Sequence, residues 1–186
     1  MPNIEFTRPP LLTVPNVVSL SRLAFTPAVA WAMLQGRGVL ALGLFALVVT
    51  SDMLDGFIAR RRRQVTRVGT LLDHGADAIF VISMTALCAH LGLLPSFLSP
   101  LIALAFIQYV LDSHVLAGAG LRASVIGRWN GIAYFAAVGS AIFVHHYARG
   151  AGIVSLLWAA GCVLAATTVI SITERAVHLL RRRRPS

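Results

Sequence analysis

The string Asp52-x-x-Asp55-Gly56-x-x-Ala59-Arg60, then eight residues, then Gly69-x-x-x-Asp73-x-x-x-Asp77 gathers four of the chain's seven acidic residues into 26 positions. The surrounding sequence is strongly apolar. A carboxylate placed in hydrocarbon costs about 2.5 to 3.5 kcal/mol on insertion scales, so four together need a shared counter-charge. Two divalent ions would bring the four charges to neutrality. Oxygen donors without thiolate or imidazole favour Mg²⁺ or Mn²⁺ over zinc.

Helical geometry makes one site of the four. At about 100° per residue, Asp52, Asp55 and Ala59 fall within about 60° on one helix, and Gly69, Asp73 and Asp77 within about 80° on the next. If these two helices form an antiparallel hairpin, the pairs also match in depth. Asp55 and Asp73 then lie about 6 to 7 Å from the joining loop, and Asp52 and Asp77 about 12 Å. Gly56 and Gly69 remove side chains beside the acids, which leaves room for a neighbouring helix or for a ligand.

The elements that must carry these residues are membrane helices. The chain has 186 residues, 57% of them hydrophobic, with a mean hydropathy of +0.77, too little polar surface for a soluble globule of this size. Apolar stretches of roughly bilayer length run from Val17 to Leu34, Val39 to Ala59, Gly69 to Leu91, Pro95 to Leu116, Ile126 to Tyr147 and Ile153 to Thr173. The expected fold is all-α, an integral membrane bundle of six transmembrane helices. A single domain covers residues 1–180, with 1–16 a cytoplasmic segment and 181–186 a basic cytoplasmic tail without order. No secretory signal is expected, because the first 15 residues hold four prolines and both charge signs.

All sixteen basic residues are arginine. With both termini in the cytoplasm, fourteen of them, Arg8, Arg22, Arg60–Arg63, Arg67, Arg122, Arg128, Arg175 and Arg181–Arg184 among them, fall on the cytoplasmic side, and only Arg37 and Arg149 outside. This is a positive-inside pattern. Topology and anionic headgroups account for the net charge of +9 without nucleic acid. Cys88 and Cys162 lie mid-span in no metal or disulfide spacing and read as small apolar side chains.

A channel or transporter with buried acids would distribute charge through the membrane depth. Here no acid falls in the outer half, and Asp112 and Glu174 also sit near the cytoplasmic edge. A non-enzymatic ion-binding membrane protein is the alternative outside enzymology.

The aspartate string resembles the whole signature of the CDP-alcohol phosphatidyltransferase family, and Val-Pro15-Asn16-Val-Val-Ser19-Leu-Ser-Arg22, followed by Pro27, resembles the entry to the first helix of bacterial phosphatidylglycerophosphate synthases. The resemblance implies that Asp52, Asp55, Asp73 and Asp77 bind the metals and that Asp77 is also the general base. It implies that Gly56, Ala59 and Gly69 let the cytidine nucleotide approach while Arg60 positions it, and that the protein is a homodimer. The implied reaction moves a phosphatidyl group from CDP-diacylglycerol to the hydroxyl of a small alcohol and releases CMP.

Glycerol 3-phosphate is the leading acceptor, with inositol phosphate, serine, phosphatidylglycerol or an amino alcohol as alternatives. Guanidinium groups suit a phosphorylated acceptor, and Arg122 and Arg128 stand between the fourth and fifth spans. Two departures bear on this choice. His74 and Ala78 stand where those synthases usually have proline and lysine, and the fourth helix offers Leu111-Asp112 in place of their Arg-Glu pair. Asp73-His74-Gly75-Ala76-Asp77 resembles instead choline and ethanolamine phosphotransferases, which use diacylglycerol. His74 and His114 are further pocket candidates, and His145 and His146 read as interfacial.

Overall fold

The computed structural model describes the backbone over residues 14–62, 67–115 and 125–182, and the side chains over 22–51, 73–111 and 126–177. Six helices, one for each expected span, follow in order: α1 Val14–Leu34, α2 Gly38–Arg62, α3 Arg67–His90, α4 Leu98–Val115, α5 Val125–Tyr147 and α6 Ala151–Arg182. No strand occurs among the described residues. Among those residues α6 is long and apolar enough over Ala151–Val177 to cross a membrane, and Arg22–Leu34, Gly38–Ser51 and Leu98–Leu111 form shorter apolar stretches.

Two boundaries depart from the sequence reading. Helix α6 does not stop where its apolar run ends but continues to Arg182. Hydropathy marks where a helix leaves hydrocarbon, while arginine is itself a good helix former, so the backbone ladder outlasts the apolar stretch. Arg181 and Arg182 therefore belong to a helix rather than to a tail without order; residues 183–186 lie outside the described residues. Helix α1 likewise starts at Val14, ahead of Val17, with Pro15 at its second position. Proline is tolerated in a first turn, whose N–H groups have no intrahelical partner.

Tight turns close α1 and α3 at the same end of the bundle. Gly36 (φ 70°) and Gly92 (φ 74°) adopt left-handed backbone, and just beyond them Arg37 N–H donates to Ala32 O and Leu93 N–H to Cys88 O, both at 2.9 Å. These bonds satisfy carbonyls that a helix end would otherwise leave unpaired.

The helices pack as a closed ring, α1 on α2, α2 on α5, α5 on α6, α6 on α4, α4 on α3 and α3 on α1, with α3 also touching α5 across the ring. Helices α2 and α3 touch through Phe45 and Phe80. The bundle also sets α1 beside both helices of the expected hairpin. Its apolar centre is Phe80 of α3, which stacks on Phe45 of α2 (6.2 Å) and Phe135 of α5 (5.6 Å), beside fully buried Val48, Met84 and Val138. Ser99 of α4 donates to Ile82 O of α3 at 2.9 Å, so α3 is tied to its neighbours by polar contacts as well.

Candidate functional site

Asp73 and Asp77 lie one turn apart on α3, so their carboxylates share a face. Arg22 of α1 meets both. Its Nη2 donates to Asp73 Oδ1 at 2.8 Å and its Nη1 donates to Asp77 Oδ1. The arginine side chain is completely buried, while those of Asp73 and Asp77 are 33% and 26% exposed. A buried guanidinium is tolerable only when paired, and here two carboxylates pair with it. The acids are partly exposed while the cation is sealed in.

The sequence reading placed Arg22 among the topological arginines, and this is where it fell short. The signal was present: Arg22 sits inside the apolar stretch Val17–Leu34, and an ionisable residue within a membrane span is a site candidate by default. Fifty-one residues separate it from Asp73, too far for any spacing rule to join them.

Helix α3 also lines an open cavity of about 610 Å³ shared with α4, α5 and α6. Asp77 and His74 reach it from α3, Gln108 and Tyr109 from α4, Arg128 and Asn130 from α5, and Arg175 from α6. Tyr109 organises one wall. His74 stacks on its ring at 5.6 Å with an interplanar angle of 14°, and the Arg175 guanidinium lies 5.6 Å from the ring centroid. His74, a pocket candidate from the sequence, thus lines the cavity through this ring stack.

Arg175 needs space, and Gly127 supplies it. A Cβ at Gly127 would stand 2.8 Å from Arg175 Nη2, closer than real Cβ contacts allow, so any larger residue there displaces the guanidinium. Deeper in the cavity Tyr134 Oη lies 2.6 Å from Thr168 Oγ1. Thr168 spends its proton on Leu164 O at 2.6 Å, so the tyrosine is the donor of that pair. Gln108 Nε2 donates to Ile172 O at 3.0 Å and ties α4 to α6.

Of the residues singled out in the sequence, the structure brings Asp73, Asp77, His74 and Arg128 to one region and adds Arg22 and Arg175. Asp52, Asp55, Gly56, Ala59 and Arg60 lie on α2 and Gly69 on α3, but their side-chain surroundings, like those of Asp112 and His114, lie outside the described residues. Arg122 lies outside them altogether. Among the described residues no three metal-ligating side chains come together. His145 and His146 sit at the far end of α5, where Arg149 Nη2 is 2.9 Å from His145 Nδ1. Cys88 and Cys162 are free, as expected.

An all-helical bundle that buries an arginine against two aspartates, beside a cavity lined by further arginines, defines a helical protein with a charged site set among apolar helices. The particular family follows from comparison with known proteins. A model of the CDP-alcohol phosphatidyltransferase family matches residues 12–173, and the chain belongs to that family. It is 41% identical over 80 residues to a cardiolipin synthase (CMP-forming) of Streptomyces coelicolor, covering 39% of this chain and 37% of that protein. It is also 41% identical over 69 residues to the CDP-diacylglycerol–glycerol-3-phosphate 3-phosphatidyltransferase of Aquifex aeolicus, covering 37% and 39%. Human cardiolipin synthase (CMP-forming) is 34% identical over 84 residues, covering 45% and 28%. The matched segments thus span less than two fifths of the length of each of these relatives.

Proposed function

We propose that this chain is a multi-pass enzyme of phospholipid synthesis in the cell membrane, with six spans, both termini and the site on the cytoplasmic side, acting as a homodimer. It moves a phosphatidyl group from CDP-diacylglycerol to the hydroxyl of a small alcohol and releases CMP. The observation that carries this reading is the position of Asp77, held by Arg22 from α1 and lining the cavity that Arg128 and Arg175 share.

In this reading the cavity takes the acceptor. Arg128 and Arg175 draw in its phosphate, and Asp77 accepts the proton of its attacking hydroxyl. The hydroxyl oxygen bonds to the phosphorus that carries the lipid, and the bond from that phosphorus to the bridging oxygen breaks, sending its electron pair to the departing CMP. A weakly acidic alcohol needs such a base within reach, and the Asp77 carboxylate lines the cavity.

Asp52, Asp55, Asp73 and Asp77 would hold two divalent ions, Mg²⁺ or Mn²⁺. The donor set fits: all are hard oxygens, and the two described carboxylates already converge on a cation, the Arg22 guanidinium. The ions would supply charge neutralisation of the pyrophosphate and of the leaving oxygen. Gly56, Ala59, Arg60 and Gly69 are assigned to the cytidine nucleotide by the family signature they match.

Glycerol 3-phosphate remains the leading acceptor, because two arginines line the cavity and a relative's name includes that substrate. Phosphatidylglycerol, which would yield cardiolipin, is the second reading, favoured by relatives named cardiolipin synthase. The test is purified protein with Mg²⁺ or Mn²⁺, CDP-diacylglycerol and a panel of acceptors, read by CMP release and by mass spectrometry of the new lipid. A phosphatidylglycerophosphate product is expected. Cardiolipin would select the second reading, and the absence of both CMP and new lipid would leave an ion-binding membrane protein.

A further inference from the structure

We infer that Arg22 is a positioning residue that sets how tightly the site holds its metal ions and its nucleotide, in opposite directions. This rests on the reading that Asp52, Asp55, Asp73 and Asp77 hold the two metal ions. The argument starts from burial. Arg22 is completely buried, whereas the two acids it meets are partly open, so the guanidinium is a fixed part of the site rather than a surface charge. Its two terminal nitrogens reach two different carboxylates a helical turn apart, which holds both Oδ1 atoms on one guanidinium and so fixes their separation.

A divalent ion bound by these carboxylates competes with Arg22 for the same oxygens and is repelled by its charge. Four aspartates and Arg22 together carry three net negative charges rather than four. Two divalent ions then leave the site one charge positive, which suits an anionic pyrophosphate. Without Arg22 the loaded site would be neutral. The arginine therefore weakens metal binding and strengthens binding of the diphosphate. A purely structural arginine would weaken both when removed.

The effect of one charge within a few ångströms is large enough to measure. An opposite charge at about 4 to 6 Å shifts the proton affinity of a carboxylate by roughly 10- to 1,000-fold, and a cation beside a metal site acts on the metal in the same sense. The pairing also explains why a full-length side chain is needed. Only arginine offers two separated donors in a rigid fork, and lysine would carry the charge but reach one acid at a time.

The experiment measures Mn²⁺ binding by electron paramagnetic resonance, and CDP binding at saturating Mn²⁺, for full-length wild type, Arg22→Gln and Arg22→Lys. Arg22→Gln is expected to bind Mn²⁺ about tenfold more tightly and CDP about tenfold more weakly, with Arg22→Lys recovering most of the nucleotide affinity. Should Arg22→Gln be poorly stable, its melting temperature must rise more on adding Mn²⁺ than that of wild type, since the ion then takes the place of the lost cation. Weaker or unchanged Mn²⁺ binding in Arg22→Gln, or an equal thermal response, overturns the inference. No Mn²⁺ binding by wild type overturns instead the metal reading beneath it.

Discussion

Where α1 and α3 carry Arg22, Asp73 and Asp77, the bundle is held by a buried arginine paired with two partly exposed acids; at the opposite ends of the same two helices it is held by glycine turns and apolar contacts. There Gly36 and Gly92 reverse the chain, and Leu93, Leu94 and Leu98 are fully or almost fully buried. The two ends use the same pair of helices and reach opposite balances. The apolar end gains stability from each group it buries, about 25 cal/mol per Å² in water and less where lipid replaces water. At the charged end the desolvation of Arg22 opposes the attraction between the charges, so the triad is poor as a source of stability and is retained for what it positions.

That contrast can be broken most decisively at Asp77. Asp77→Asn is expected to lower turnover by about 10²- to 10⁴-fold, the usual contribution of a general base, while nucleotide and metal still bind. Full turnover in that variant would remove the base from the charged end. At the apolar centre Phe80→Ala should do the reverse, costing about 3 to 5 kcal/mol of stability through lost ring contacts with Phe45 and Phe135, with turnover per folded molecule retained. Denaturation of the purified protein in bicelles, alongside active-site titration, separates the two outcomes.

A smaller effect is expected at Gly127. The atom that a new methyl would meet is the far end of a flexible arginine, so Gly127→Ala should fold normally and move Arg175 instead. The expected signature is an acceptor KM raised about tenfold, or roughly 1.4 kcal/mol, with kcat little changed. A kcat loss at unchanged KM would place Arg175 outside acceptor binding. The smallest change belongs to the turn: Gly92→Ala, at φ 74°, should cost about 1 to 2 kcal/mol by thermal denaturation and leave both kinetic constants as they were.

The sequence made the helices and the acids legible because both depend on local rules. Apolar runs located all six helices, though the sixth was ended nine residues early, and a four-residue spacing put Asp73 and Asp77 on one face. What could not be read was everything that depends on which helix lies beside which. Arg175 looks identical, in one dimension, to the arginines that orient a membrane protein, and Arg22, though marked by its place inside an apolar stretch, has partners that no spacing could name. Only the placement of α1 against α3, and of α6 against α4, converts one into a buried partner of two acids and the other into a cation over Tyr109. The end of α6 was misjudged for a related reason, since hydropathy follows the solvent and not the hydrogen-bond ladder.

The continuation of α6 to Arg182 has a mechanical meaning. Seven residues of unbroken helix, roughly 10 Å, join Arg175 in the cavity wall to the arginines at the helix end. Over so short a span an α-helix behaves as a rod. A displacement at the end of α6 is delivered as a shift or rotation of Ser171, Ile172 and Arg175 together, all three of which line the cavity.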